Sequence, residues 1–251
     1  MRIGQEVFRN VSIRAPLFAG LLLATTGCST MRMVPPKDVV QQSDVFEATE
    51  RSLFSGALVD ESFRLGPYEV AGVDRDWNHS SRSQVGVAAD ERGGTVLGYS
   101  NEEIGTSFAF QFKEGADTEA GLCASVTQVK GLSVGSHELS RRQTRFVCTC
   151  GAGEAPARLE MELEGRSQGP VGQITLARGQ LDVKGVHKTN AAWGSNDAVG
   201  YRVDQGPEPL GAVEVLRPGS IWLAKSLDSV ERRQLGCLFT GMMLYLEPST
   251  H

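Results

Sequence analysis

The sequence predicts a mainly β protein: an antiparallel β-barrel or rolled sheet of about ten strands, closed by one apolar C-terminal helix that the strands enclose. Three observations carry this. Short runs through the middle of the chain alternate apolar and polar residues, as half-buried strands do. The chain's 29 glycines, with clustered Asn, Asp and Pro, punctuate those runs as turns. And Asp228–Glu247 (DSVERRQLGCLFTGMMLYLE) reads as a helix whose second half, from Leu235 to Leu246, carries no charge on any face.

The helix has defined ends. Asp228 is a good N-cap, and Glu231, three residues on, completes a capping box. Pro248 is a stop signal. The uncharged stretch covers roughly 18 Å as a helix, and a bilayer core needs about 30 Å, so burial inside the protein is expected rather than a membrane span. Gly236, Thr240 and Gly241 make a strip of small residues where strand backbones can approach.

The strands follow from period two. Phe108, Phe110 and Phe112 alternate with Ala109, Gln111 and Lys113. Phe146, Cys148 and Cys150 alternate with Val147 and Thr149; Leu159, Met161 and Leu163 alternate with Arg158, Glu160 and Glu162. Val199, Tyr201 and Val203, then Val213 and Val215, repeat the pattern. Phe63, Leu65, Tyr68 and Val70 form an earlier run broken at Gly66-Pro67, which suggests a bulge or an edge. Val85–Ala89, Thr95–Tyr99, Val171–Leu176, Leu181–Val186 and Ile221–Ala224 are weaker strands. Around Cys123, the residues Leu122, Ala124 and Val126 form the more apolar side. Asp44 with Glu47 suggests a short helix reaching about Ser55, and Asp74–His79 reads as a polar turn around Trp77. No alternation of strand and amphipathic helix appears, so a parallel α/β sheet is not expected.

The first 27 residues read as an address. Arg2, Arg9 and Arg14 precede a short apolar segment, Ala15–Ala24, and then Thr25-Thr26-Gly27-Cys28. This resembles the lipobox of bacterial lipoproteins, although Thr25 stands where that family usually has Leu. The resemblance implies cleavage before Cys28, a lipid on its thiol, and an acylated new amino end. Multiple acyl chains of palmitate type anchor a protein firmly. Ser29 rather than Asp follows, which in enteric members implies the outer membrane. Residues 28–43, with Pro35-Pro36, read as a tether before a single β-rich domain over 44–251. Removing the leader takes away three arginines and Glu6, moving the net charge from −5 to about −7. An acidic domain has no electrostatic footprint for nucleic acid.

Cys123, Cys148, Cys150 and Cys237 remain. An even count beyond the inner membrane favours disulfides. Cys148 and Cys150 share a strand face and do not suit each other. Cys123 with Cys148 or Cys150 is the favoured pair, with Cys237 either bonded or a buried free thiol. A C-x-C metal site at Cys148 and Cys150 lacks a second ligand pair.

Strand order followed by Asp228–Leu246 is also similar to tubby-like C-terminal domains, in which an antiparallel barrel surrounds a hydrophobic C-terminal helix. The resemblance spans about residues 60–247 and implies fold alone. The best-known members bind phosphoinositides through basic residues, and no basic cluster here matches that site.

Chemistry-bearing motifs are sparse. Gly131-Leu132-Ser133-Val134-Gly135 fits the G-x-S-x-G pattern, which in hydrolases is a strand-to-helix turn. Here a hairpin is expected, and only Asp182 with His187, or His251, follows in the required order. His79, His137, His187 and His251 are scattered, so no metal site and no cofactor can be read from spacing. Trp77 and Trp193 are candidate surface contacts. The expectation is a lipid-anchored envelope protein, a non-enzymatic interaction or structural module with a possible envelope protein partner. A binder of lipid or a small apolar ligand, and an envelope serine hydrolase using Ser133, are the alternatives.

Overall fold

A computed structural model describes residues 31–51, 61–88, 95–134, 137–151, 155–163, 170–191 and 194–245. The elements are α1 (Lys37–Gln42), β1 (Ser43–Thr49), β2 (Phe63–Leu65), β3 (Tyr68–Ala88), β4 (Thr95–Glu114), β5 (Asp117–Val134), β6 (His137–Cys150), β7 (Ala157–Leu163), β8 (Pro170–Leu176), β9 (Gly179–Val186), β10 (Gly200–Gln205), β11 (Glu208–Glu214), β12 (Ser220–Ala224) and α2 (Ser229–Leu244). All twelve strands join one closed antiparallel barrel, each beside its sequence neighbour, with β1 bonded to both β12 and β2. Closure leaves no sheet edge within the barrel wall.

The strand count exceeds the expected ten for two reasons. Gly66-Pro67 is a two-residue hairpin turn rather than a bulge, so one run becomes β2 and β3. Gly66 has φ +59°, a conformation open to glycine at the first turn position. The short helix expected from Asp44 is also replaced, by β1. Its pairing with β12 closes the barrel, and the Asp44 carboxylate takes Arg232 at 2.8 Å instead of capping a helix. Tertiary pairing outweighs local preference here.

α2 sits inside. Asp228 caps it and Glu231 completes the capping box, as the sequence predicts. Every residue from Leu235 to Leu244 is buried. The helix ends at Leu244; Leu246 and Glu247 lie outside the described residues. Its neighbours are the inward residues of the wall, including Phe63, Tyr68, Phe112, Phe146, Leu159, Ile174, Leu181 and Leu223. The predicted alternation in β4, β6 and β7 is realised: Phe108, Phe110, Phe112, Phe146, Leu159 and Met161 all point inward and are buried.

β5 reverses the expected sidedness. Cys123, Ser125 and Thr127 are buried, whereas Leu122 is 60% and Val126 41% exposed. The Cys123–Cys148 disulfide joins directly opposed residues and fixes which face turns inward. Buried hydroxyls then pair across strands, Thr106 with Ser125 at 2.7 Å and Thr127 with Thr144 at 2.9 Å, which removes the cost of burying them.

β3 to β6 are longer than the barrel. Arg75 of β3, opposite Phe108, reaches the carbonyl of Leu244 and so marks the C-terminal end of α2. Pairing continues past that level to Ala88↔Thr95 and Val134↔His137, while among the described residues β6–β7 pairing ends at Thr144↔Leu163. A four-stranded sheet therefore extends beyond the rim. Asp74–His79, expected as a turn, lies within β3, where register shifts flank Asp74–Asp76.

Of the tether expected over 28–43, residues 31–42 are docked on the outer wall. Met33 and Val39 join Val199, Ala212 and Trp222 in a second apolar cluster. Arg32 pairs with the buried Glu214 at 2.9 Å and donates to Ser220 at 2.8 Å, and Met33 N–H donates to the same carboxylate.

Gly241 supplies a test of the central packing. A Cβ there would lie 2.5 Å from Cys148 Sγ and 2.8 Å from Cys123 Sγ. In an open helix Gly→Ala gains about 1 kcal/mol. Gly241→Ala is expected to reverse the sign and cost roughly 1–3 kcal/mol through overpacking. Urea unfolding measures it; a stabilised variant would contradict the close approach.

Candidate functional site

The interior is filled rather than open. α2 occupies the barrel axis; one disulfide binds it to the wall and a second, within the wall, packs against it. Cys123–Cys148 crosses β5 and β6 and packs on Gly241; Cys150–Cys237 links β6 to the helix, with Cα atoms 6.1 Å apart. Cys237 is therefore bonded, and the free-thiol alternative falls. Both sulfurs of the C-x-C pair are committed to disulfides, so neither is a thiolate available to a metal. Among the described residues no group of three or more His, Cys, Asp or Glu could hold a metal ion.

A charged cluster closes the C-terminal end of α2. Arg51, in the loop after β1, donates to the carbonyls of Met243 and Pro218. Arg75 donates to Glu61 at 2.6 Å and to the Leu244 carbonyl at 3.0 Å. Glu61, just before β2, is only 2% exposed. Its other oxygen lies 3.9 Å from Arg51 Nε and 4.0 Å from Arg217, within charge interaction but beyond hydrogen bonding. Arg51 stacks over Phe63 and Arg75 over Phe108, at 5.3 and 5.2 Å. Burial, then the neighbouring Arg217, pushes the Arg51 guanidinium down to about 10, and Glu61 opposes them. It remains a cation at neutral pH. Cations suit a helix C-terminus, where unpaired carbonyls carry partial negative charge. The cluster holds the helix in place and contains no nucleophile.

The outer wall carries shallow depressions. One, of about 520 Å3, is lined by Arg145, Arg158, Glu160, Val171, Gln173 and Gln180. Glu160 accepts from Arg145 at 2.8 Å and Arg158 at 2.7 Å, and these hydrogen bonds hold its carboxyl below the usual range. Another, of about 370 Å3, has Ala109, Leu122, Ala124 and Val147 as an apolar floor beside Asp74 and Asp76.

The structure disperses the residues of the hydrolase motif. Gly131–Val134 ends strand β5 and leads into the β5–β6 hairpin, not into a helix. The Ser133 hydroxyl donates to the Gly98 carbonyl at 3.4 Å. His137 pairs with Val134, one residue beyond Ser133. Asp182 is on β9 and His187 follows it, with β6, β7 and β8 between them and β5. His251 lies outside the described residues, as do Cys28 and Trp193; Trp77 lies in β3, but its side chain is outside the description. The cluster of Arg51, Glu61, Arg75 and Arg217 gives no sequence signal. Arg51, Glu61 and Arg217 sit in loops and Arg75 lies within β3, and only closure of the barrel gathers them.

Removing Glu61 tests that cluster. Glu61→Gln leaves buried arginines without their shared carboxylate, and a loss of roughly 3–5 kcal/mol is expected in urea unfolding. Glu69→Gln, which breaks an exposed pair with Arg64, is expected to cost less than about 1 kcal/mol. Equal losses would show that the cluster is not holding the helix end. No protein-family model, curated protein or solved structure matches the chain.

Proposed function

We propose that the protein is a lipid-anchored lipoprotein of the cell envelope, acting as a non-enzymatic interaction or structural module through its outer surface. The observation that carries this is the sequence Thr25-Thr26-Gly27-Cys28, which stands three residues before Met31, the first described residue. A lipid on Cys28 would then sit only a few residues from Arg32, which is fixed to Glu214. Two disulfides suit an oxidising compartment beyond the inner membrane. No helix among the described residues is long and apolar enough to cross a membrane. The outer membrane is the proposed destination, following from Ser29.

The filled interior argues against a ligand cavity inside the barrel, because ligand sites of several hundred Å3 need empty space. The apolar groove around Leu122 and Val147 supports a narrower second reading, a small apolar ligand held on the outer wall. A barrel enclosing a C-terminal helix supports the tubby-like resemblance as one of architecture. The dispersal of Asp182 and His187 from Ser133 weighs against the hydrolase.

Metabolic labelling with palmitate tests the anchor. The protein is expected to carry label and to stay with membranes after a high-salt wash. Cys28→Ser is expected to lose the label and enter the soluble fraction while both disulfides still form. Label retained in Cys28→Ser, or absent from the native protein, would overturn the proposal.

A further inference from the structure

The four-stranded extension carries an organised tip on its outer face. Tyr99, Leu132 and Leu139 stand directly opposite one another on β4, β5 and β6. They are 46%, 42% and 71% exposed. One step of two residues toward the barrel, roughly 7 Å, the next row on the same face is Asn101, Lys130 and Arg141. Lys130 and Arg141 are exposed. Beyond them the face is polar, with Glu103 opposite Gln128 and Gln128 opposite Gln143. An apolar row backed by a cationic row and then a polar one, with the next exposed apolar residues, Val126 and Leu122, roughly 20 Å or more further along β5, is too shallow to span a bilayer. It has the layering of a surface that enters the headgroup region of one leaflet.

The extension rises from the same end of the barrel as the N-terminal arm. Arg32 bonds to Glu214 and Ser220, at the end of β11 and the start of β12. That edge is level with the C-terminal end of α2, since the Pro218 carbonyl and Met243 carbonyl share Arg51. β5 and β6 lie on the opposite side of the barrel circumference, with β4 and β3 next around the ring. From Phe108 to Tyr99 the strand advances about 30 Å, or about 23 Å along the axis at the tilt common in barrels. The tip therefore projects from the end of the barrel at which Arg32 is fixed.

We propose that this tip is a second membrane contact, in which Tyr99, Leu132 and Leu139 enter the leaflet and Lys130 and Arg141 meet anionic lipid headgroups. The placement rests on the lipid anchor at Cys28; the layering of the tip does not. With both contacts made, the barrel stands in one orientation, with the turns at the N-terminal end of α2 facing away from the bilayer.

The experiment uses protein purified from membranes after its own processing, carrying Leu139→Cys labelled with a polarity-sensitive fluorophore. A second preparation carries the label at Lys225→Cys, at the opposite end of the barrel. Each is combined with vesicles of phosphatidylethanolamine and phosphatidylglycerol containing a doxyl-quencher lipid. The label at residue 139 is expected to shift blue and to be quenched several-fold more than the label at 225. Lys130→Gln with Arg141→Gln, or omission of phosphatidylglycerol, is expected to weaken that quenching, by about fivefold per charge in the equilibrium. Retention on vesicles after a salt wash reads the Cys28 anchor separately. Retained protein with an unquenched label at 139 overturns the tip and leaves the anchor standing. Quenching without retention supports the tip and sinks the anchor. Neither retention nor quenching sinks both. A blue shift without lipid quenching that grows with protein concentration assigns the row to a protein contact, and overturns the proposal.

Discussion

Between Leu235 and Leu244 every side chain of α2 is buried, and no face of that stretch meets water. A helix of this kind is stable only where apolar groups surround it on all sides. Twelve strands do so here, and much else follows from that enclosure. Inward positions of the wall carry Phe, Leu and Ile because they meet the helix. Gly236 and Gly241 are small because Phe112 and the Cys123–Cys148 sulfurs occupy the space a side chain would need. Cys150–Cys237 ties the helix covalently to β6, so the core element and its wall cannot part while the bond stands.

The two ends of the helix are closed by charge of the appropriate sign. At the N-terminal end Asp228 and Glu231 meet the helix amides, and Arg232 and Arg233 turn out to acidic residues of the wall, Asp44, Asp117 and Glu119. At the C-terminal end Arg51 and Arg75 take the last carbonyls while Glu61 offsets part of their charge. The polar ends and the apolar middle fix the depth of the helix in the barrel, because sliding would move charges into the core.

A filled barrel directs function outward. The outer wall is uneven: the N-terminal arm covers β10 to β12, shallow depressions lie across β3 to β9, and the long strands project past one rim. The arm leaves the fold at that same rim. The molecule therefore has a polarity along the barrel axis, and any contact that uses both the arm and the extension is made from one end.

How much of this was legible depends on the range of the interaction. The capping box, the uncharged helix from Leu235, and the alternation of Phe108, Phe110 and Phe112 are local patterns, and the sequence by itself determined them along with the β class. The short stretch from Ser43 carries conflicting local preferences, and β12 and β2 decided it as a strand. β5 is ambiguous because Leu122, Ala124 and Val126 look more like a core face than Cys123, Ser125 and Thr127; only the disulfide to Cys148 and the cross-strand hydroxyl pairs made the polar face the inner one. The partner of Cys237, the gathering of Arg51, Glu61 and Arg75, and the rise of Tyr99, Leu132 and Leu139 to one exposed row were likewise decided by tertiary structure. Each joins residues far apart in the chain, and what brings them together is the register of a closed barrel, which no local window of sequence contains.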